Sequence, residues 1–397
     1  MIFMEYWFAA FAAIFFLVFW LTPYPLLRRL VLLLFCVTFH AHFAGPAGVL
    51  PIIFIGIITY LAGLSGDRSA FFGAIALNVV ALLFYKYTLF LSQSFIGAFS
   101  SSWAAEAELY AKQSLLPAAP PLAISFFVFE FVHYLIDVSR GHQPITSPLK
   151  FSLFALFWPS IVAGPIKRYE QFIPEMLDAT AERIRSEDAA VGLLRISMGF
   201  IKKTVADNLT QLVVFWEPQF ETIGLSSRWA LLVALAFRIL LDFSGYSDIA
   251  IGFARMMGIR LPENFNWPYF AVSPADFWRR WHMSLSTWIR DYVYIPLGGG
   301  RVSVPRRAAN ALVAFALCGL WHGAAWNFAI WGLYHGIGVA ATSALPKKWP
   351  IRHWGFIAAG KGVGWVLTIV FVMIGWLLFF FPLSRAVEMA RLLFSLQ

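Results

Sequence analysis

The chain has 397 residues, 60% of them hydrophobic and only 13% charged, with a mean hydropathy of +0.71. That balance excludes a water-soluble globule, whose charged share is about a quarter. The formal net charge of +9 comes from Lys and Arg scattered beside apolar runs, so anionic membrane lipids, not nucleic acid, are the expected partners.

A membrane-spanning helix needs roughly 20 apolar residues. Windows of that kind fall at 2–21, 26–43, 48–64, 71–93, 121–138, 150–164, 191–215, 229–257, 308–322, 325–342 and 363–381. They predict an all-α polytopic membrane protein of roughly 11 transmembrane helices. We expect one transmembrane domain over 1–397, made of N-terminal helices (1–95), a motif-bearing core (120–340) and a last span (363–381).

The first window contains Glu5 and lacks both a basic leader and a small-residue cleavage site, so it reads as a retained helix rather than a signal peptide. Arg28 and Arg29 follow it. Cytoplasmic placement of these cations puts the N-terminus outside. Cys36 and Cys318 both lie in apolar runs and read as packing residues, too few for a disulfide framework or a zinc site. The stretch 95–120, with Lys112 as its single cation, is expected outside. Three polar connections carry most of the charge and are expected on the cytoplasmic side: one from Lys167, one over 262–307 and one from Pro346. Within the window at 229–257, Arg238 and Asp242 are four residues apart and are predicted to pair on one helix face. Asp248 has no partner at helical spacing.

The stretch "SPADFWRRWHMSLSTWIRDYVYIPLGGGR" (273–301) opens with a capping Ser273, Pro274 at the first helical position and Asp276 three residues after the cap. A helix is predicted to about Tyr294, stopped by Pro296 and the run Gly298, Gly299, Gly300, which reads as a tight turn or hinge. Phe277, Trp281, Leu285, Trp288 and Tyr292 form one apolar stripe, with Arg279, Arg280 and Arg290 mostly off it. Two readings stay open. One is an interfacial amphipathic helix with snorkelling arginines. The other is a re-entrant helix that offers Arg279, Arg280 and Arg290, with Trp281, Ser286 and Asp291, to the phosphates of an acyl thioester donor. His282 sits at the edge of the stripe.

Two histidines, His322 and His335, lie in "LCGLWHGAAWNFAIWGLYHGIG" (317–338). Along one unbroken helix they would be about 20 Å apart, too far to share a small site. No metal-ligand spacing exists around them, so no metal is expected. Gly319 with Gly323 and Gly332 with Gly336 make G-x-x-x-G pairs, the mark of close helix contact. Gly323 is expected to leave space for a substrate beside His322, whose neutral imidazole can accept a proton from a hydroxyl; a structural, hydrogen-bonded histidine is the alternative.

Five blocks, "AISFFVFEFVHYLIDVSRG" (123–141), "WPSIVAGPIKRYEQF" (158–172), "DFSGYSDIAIGFARMMGIRLPENFNWPYF" (242–270), "FWRRWHMSLSTWIRDYVYIPLGGGR" (277–301) and "LWHGAAWNFAIWGLYHG" (320–336), resemble the membrane-bound O-acyltransferase family, in its bacterial branch of alginate O-acetyltransferases and teichoic-acid D-alanyl transfer proteins. The resemblance implies a ring of helices around a central tunnel, with re-entrant helices on the cytoplasmic side. It implies His322 as the catalytic histidine of the W-H-G motif and His282 as the second characteristic histidine. No role passes to His335. The family tends to have Gly and Thr where this chain has Ala123 and Val128. The chain also ends soon after the span at 363–381, a compact length like that of the D-alanyl members, while "IPLGGGR" looks more like the acetyl-transferring ones.

The function expected is therefore transfer of an acyl group, acetyl first, for O-acylation of an envelope polysaccharide. The donor is a cytoplasmic thioester, acetyl-CoA or an acyl carrier protein, with no permanently bound cofactor. An extracytoplasmic acyltransferase partner and the bacterial cytoplasmic (inner) membrane are expected with it. D-alanyl transfer toward teichoic acid is the alternative acyl chemistry; a transporter or flippase for a lipid-linked glycan, and an inactive scaffold, are alternatives of other classes.

Overall fold

A computed structural model describes residues 2–117, 119–182, 184–344 and 358–395; most of the polar connection predicted from Pro346 lies outside them. Among the described residues every regular element is helical, and four helices are long and apolar enough to cross a membrane: Pro25–Ser65, Arg68–Ile96, Leu225–Met256 and Gly362–Phe380. The chain is a multi-pass membrane protein. It divides into two compact units, Met1–Ile196 with Ala250–Pro262, and Ser197–Ile249 with Glu263–Gln397.

The first unit holds α1 (Tyr6–Leu21), α2 (Pro25–Ser65), α3 (Arg68–Leu82), α4 (Thr88–Leu91), α5 (Ser101–Tyr110), α6 (Ile124–Ser139), α7 (Pro148–Leu156) and α8 (Tyr169–Ala181), with the start of α9 (Ser186–Trp216) and the end of α10 (Leu225–Met256). The windows at 26–43 and 48–64 are two limbs of α2, broken where Gly45 takes φ 63°, ψ 174° and Pro46 follows. The window at 150–164 yields helix only to Leu156, because Pro159 disfavours helical backbone at Trp158 before it. Asp67 caps α3 by accepting from the amides of Ser69 and Ala70. Ala123, at the N-cap of α6, has φ 58°, the left-handed region that suits the glycine expected there.

Trp158 is the hub of this unit's core, fully buried, with the rings of Phe8, Phe11, Phe15, Phe39 and Phe253 at 5.2–6.0 Å. Two cations that the sequence offers as surface charge are internal instead. Arg28, 6% exposed, donates to the carbonyls of Thr22 (2.7 Å) and Glu182 (2.6 Å). Lys167, 2% exposed, donates to both carboxylate oxygens of Glu130 at 2.7 and 2.9 Å.

The second unit holds the rest of α9 and α10, then α11 (Pro274–Trp278), α12 (Met283–Ile289), α13 (Val304–His322), α14 (Trp326–Ala344), α15 (Ala358–Phe380) and α16 (Leu383–Leu392). Within it α9 and α10 touch backbone to backbone, since a Cβ on Gly199 would stand 2.6 Å from the Gly245 carbonyl. The ion pairs on these helices differ from the predicted one. Asp242 accepts from Lys203 at 2.6 Å and Asp248 from Lys202 at 2.5 Å, while Arg238 donates to Thr210 Oγ1 at 2.9 Å. Helices α13 and α14 form a close hairpin: a Cβ on Gly319 would fall 2.1 Å from the Phe328 carbonyl, and one on Gly332 2.2 Å from that of Phe315.

Candidate active site

The stripe Phe277, Trp281, Leu285, Trp288 and Tyr292 is buried throughout, as its period requires, yet the backbone beneath it is not one helix. Ser273 Oγ caps α11, accepting from the Asp276 amide at 3.1 Å, and Asp276 Oδ2 accepts from the Val272 amide rather than closing a capping box. The helix ends after Trp278. His282 takes φ 43°, ψ 56°, and α12 starts anew after it, continuing into a π-helical turn over Arg290–Tyr294. Long-range hydrogen bonds explain the break. The Asn264 carbonyl accepts from the Met283 amide at 3.0 Å, and its side-chain Oδ1 accepts from the Ser284 amide (3.3 Å) and hydroxyl (2.6 Å). Asn264 Nδ2 donates to Ser247 Oγ at 3.2 Å, and the residue is 1% exposed.

This corner fixes His282 against Phe243, with ring centroids 4.6 Å apart, and 6.4 Å from the ring of His322. Both ring nitrogens of His282, which is 1% exposed, lack a hydrogen-bond partner among the described residues. A buried polar group in that condition is costly unless something completes it. His322 ends α13, and Trp321, Trp331 and Phe379 surround its ring at 4.9–5.2 Å. The separation of the two imidazoles is too long for a direct ring-to-ring hydrogen bond.

The hairpin changes the relation of His322 to His335. Instead of lying about 20 Å apart on one helix, both flank the indole of Trp331, at 5.2 and 5.0 Å. His335 is fully buried, and its Nδ1 accepts from Trp278 Nε1 at 3.2 Å. The space expected beside Gly323 is not there: a Cβ on that glycine would stand 2.1 Å from the Phe328 ring.

Room lies elsewhere. A cavity of about 440 Å³ opens between α12 and α13. Arg279, Arg290, Ser286 and Thr287 give it a polar side, and Ala311, Ala314 and Cys318 of α13 an apolar one. Met283, which follows His282, and Cys318, one turn before His322, also line it. Of the six residues expected to bind the donor, Arg279, Ser286 and Arg290 are in this wall. The other three are not. Trp281 is core, packed on Trp376 and Phe265 at 4.9 and 5.1 Å. Arg280 is held by Asp276 (3.2 Å), and Asp291 accepts from Arg290 Nε at 2.7 Å. The glycine run is a turn, with φ 110° at Gly298 and 56° at Gly299, tied by Asn310 Nδ2 donating to the Leu297 carbonyl at 3.0 Å. Among the described residues no group of three or more His, Cys, Asp or Glu is placed to hold a metal ion. Sequence reasoning missed Asn264 and the small residues of α13, whose spacing of three and four at 311, 314 and 318 is the available signal.

The family model described as MBOAT, membrane-bound O-acyltransferase family, matches residues 75–384. A probable alginate O-acetylase of Pseudomonas aeruginosa is 41% identical over 266 residues, 65% of this chain and 48% of that protein. A peptidoglycan O-acetyltransferase of Helicobacter pylori is 32% identical over 396 residues, 93% of this chain and 69% of that protein. A teichoic acid D-alanyltransferase of Bacillus subtilis is 30% identical over 273 residues, 65% of this chain and 68% of that protein. The chain spans about half the length of the alginate O-acetylases it matches.

Proposed function

The chain belongs to the membrane-bound O-acyltransferase family, and from that premise we propose that it moves an acyl group, acetyl first, from a cytoplasmic thioester toward an envelope polysaccharide. The observations that carry the reading are the approach of His282 and His322, the first with both nitrogens unpartnered among the described residues, and a cavity that has Arg279 and Arg290 in its wall and is lined by Met283, next to His282, and Cys318, one turn before His322. Arginine forks suit the phosphates of coenzyme A or a phosphopantetheine arm. His322 takes the proton from the acceptor hydroxyl as its oxygen attacks the thioester carbonyl. A new C–O bond forms, the C–S bond breaks, and the imidazolium returns the proton to the leaving sulfur. His282 holds the carbonyl or the hydroxyl in line.

The wider expectations belong to the same proposal: helices ringed around a tunnel, the bacterial inner membrane, acetyl-CoA or an acyl carrier protein as donor, and an extracytoplasmic acyltransferase receiving the group. The D-alanyltransferase relative favours a second reading of the acyl group. Mass spectrometry of envelope polymers from cells with the wild-type chain and with His322→Ala separates the two. We expect the variant to fold, insert and lose at least a hundredfold of the transfer rate, the scale typical of removing a general base. Unchanged polymer acylation would sink the assignment of His322; an alanyl difference in place of an acetyl one would select D-alanyl transfer.

A further inference from the structure

A second cavity, of about 220 Å³, lies within the first unit between the two limbs of α2 and the helices α6 and α7. Its floor is apolar, formed by buried Ile52 and Phe131. Val37, Ile53 and Ile57 line its other side and are 45%, 50% and 54% exposed, so the cavity opens through the outer face of α2. Of the polar residues in its lining, Tyr60 and Ser152 are half-buried and His40 is the buried one. His40 is 2% exposed, and neither ring nitrogen has a hydrogen-bond partner among the described residues. A neutral imidazole carries one N–H donor, which in an apolar wall calls for an acceptor oxygen.

Helix geometry gives the depth of that donor. Each limb of α2 has about 20 residues on its side of Gly45, roughly 30 Å and so one hydrocarbon thickness. The break at Gly45 therefore lies at a bilayer face, and His40, five residues away, sits about 7 Å inside it. Ester groups bound the hydrocarbon at that face, so their carbonyls are the lipid acceptor oxygens nearest to this donor. The volume exceeds the roughly 150 Å³ that accepts benzene in an engineered apolar core.

We propose that this cavity binds one acyl chain of a bilayer phospholipid, with His40 donating a hydrogen bond to the chain's ester carbonyl. The site is separate from the His282–His322 pair and does not rest on the transferase reading. Its test uses the full chain in nanodiscs of phosphatidylethanolamine and phosphatidylglycerol. A trace phospholipid carries a mid-chain diazirine, attached by an ester or by an ether linkage, and labelled peptides are mapped after irradiation. We expect the ester probe to label peptides of 37–60 and 148–156 at least fivefold above the exposed residues of α15. Gly56→Leu, whose Cβ points toward Phe131 at 3.4 Å, should fill the space and remove that excess while leaving α15 labelling unchanged. The ether probe should label less than the ester probe in the wild type, and His40→Leu should abolish the difference. Cavity labelling no higher than that of α15, labelling undiminished by Gly56→Leu, or equal labelling by ester and ether probes would each overturn the proposal.

Discussion

His282 keeps a left-handed backbone that costs an L-residue about 1–2 kcal/mol, and Asn264 is what holds it there. Replacing Asn264 with Ala would remove its bonds to the buried Ser247 hydroxyl and to the part-buried Ser284 amide and hydroxyl, a loss of about 2 kcal/mol. It would also free the His282 corner. We expect Asn264→Ala to lower the transfer rate about a hundredfold, the scale of a misplaced catalytic group, with little change in KM for the thioester; Asn264→Asp, which keeps the acceptor for Ser284, should recover part of it. Equal rates for Ala variant and wild type in a detergent-solubilised transfer assay would remove Asn264 from this role. The two catalytic candidates were readable from their motifs, but the break at His282 was not. No Gly or Pro occurs in "WRRWHMS", and the apolar stripe runs on across it. What ends the helix is a residue 18 positions upstream. Ala123 shows the converse case. Its departure from the expected glycine was visible in the sequence, and the backbone there is left-handed all the same. Ala123→Gly should therefore raise stability by roughly 1 kcal/mol, once the entropy of glycine is set against the relief of strain, as read from a higher melting temperature in detergent.

Whole elements were legible where hydrophobic length decides them, and less so where a neighbour does. The last window became α15 nearly as predicted, whereas 150–164 was cut short by Pro159 and the two early windows joined as α2 around Gly45. The G-x-x-x-G pairs did mark close contact, but between α13 and α14 folded back on each other, a geometry that spacing alone leaves undetermined. The large cavity was hidden for a similar reason, since it is made by what Ala311 and Ala314 lack. The small residues on one face of α13 mark a cavity only once α12 is seen standing off from them. Filling the space is the direct test of its use. Ala314→Phe, placed where Ala314 is 2% exposed in the cavity wall, should raise KM for the thioester at least tenfold, about 1.4 kcal/mol of lost binding, and change kcat much less. If saturation kinetics with the variant leave KM unaltered, the donor does not use this cavity.

At the scale of the molecule, the orientation rests on Lys and Arg, and two of those cations, Arg28 and Lys167, are buried. Arg28 binds backbone carbonyls and Lys167 pairs with Glu130, so neither reports a membrane face as a surface charge does. Charges that are not buried, such as the half-buried Arg29 and the exposed Arg185, still carry the positive-inside bias. The protein offers a clean way to check it. Both native cysteines are buried, Cys36 at 0% and Cys318 at 2% exposure, so the unaltered chain should react little with a membrane-impermeant maleimide. Single cysteines at exposed Ser101 and Glu187 then report separate faces. Ser101→Cys should be labelled in intact cells, and Glu187→Cys only after the membrane is permeabilised. The reverse pattern would put the stretch 262–307, assigned by the same bias, on the outer side. Arg279 and Arg290 would then face away from any cytoplasmic thioester, and donor entry from the cytoplasm past these cations would fail even with His282 and His322 in place.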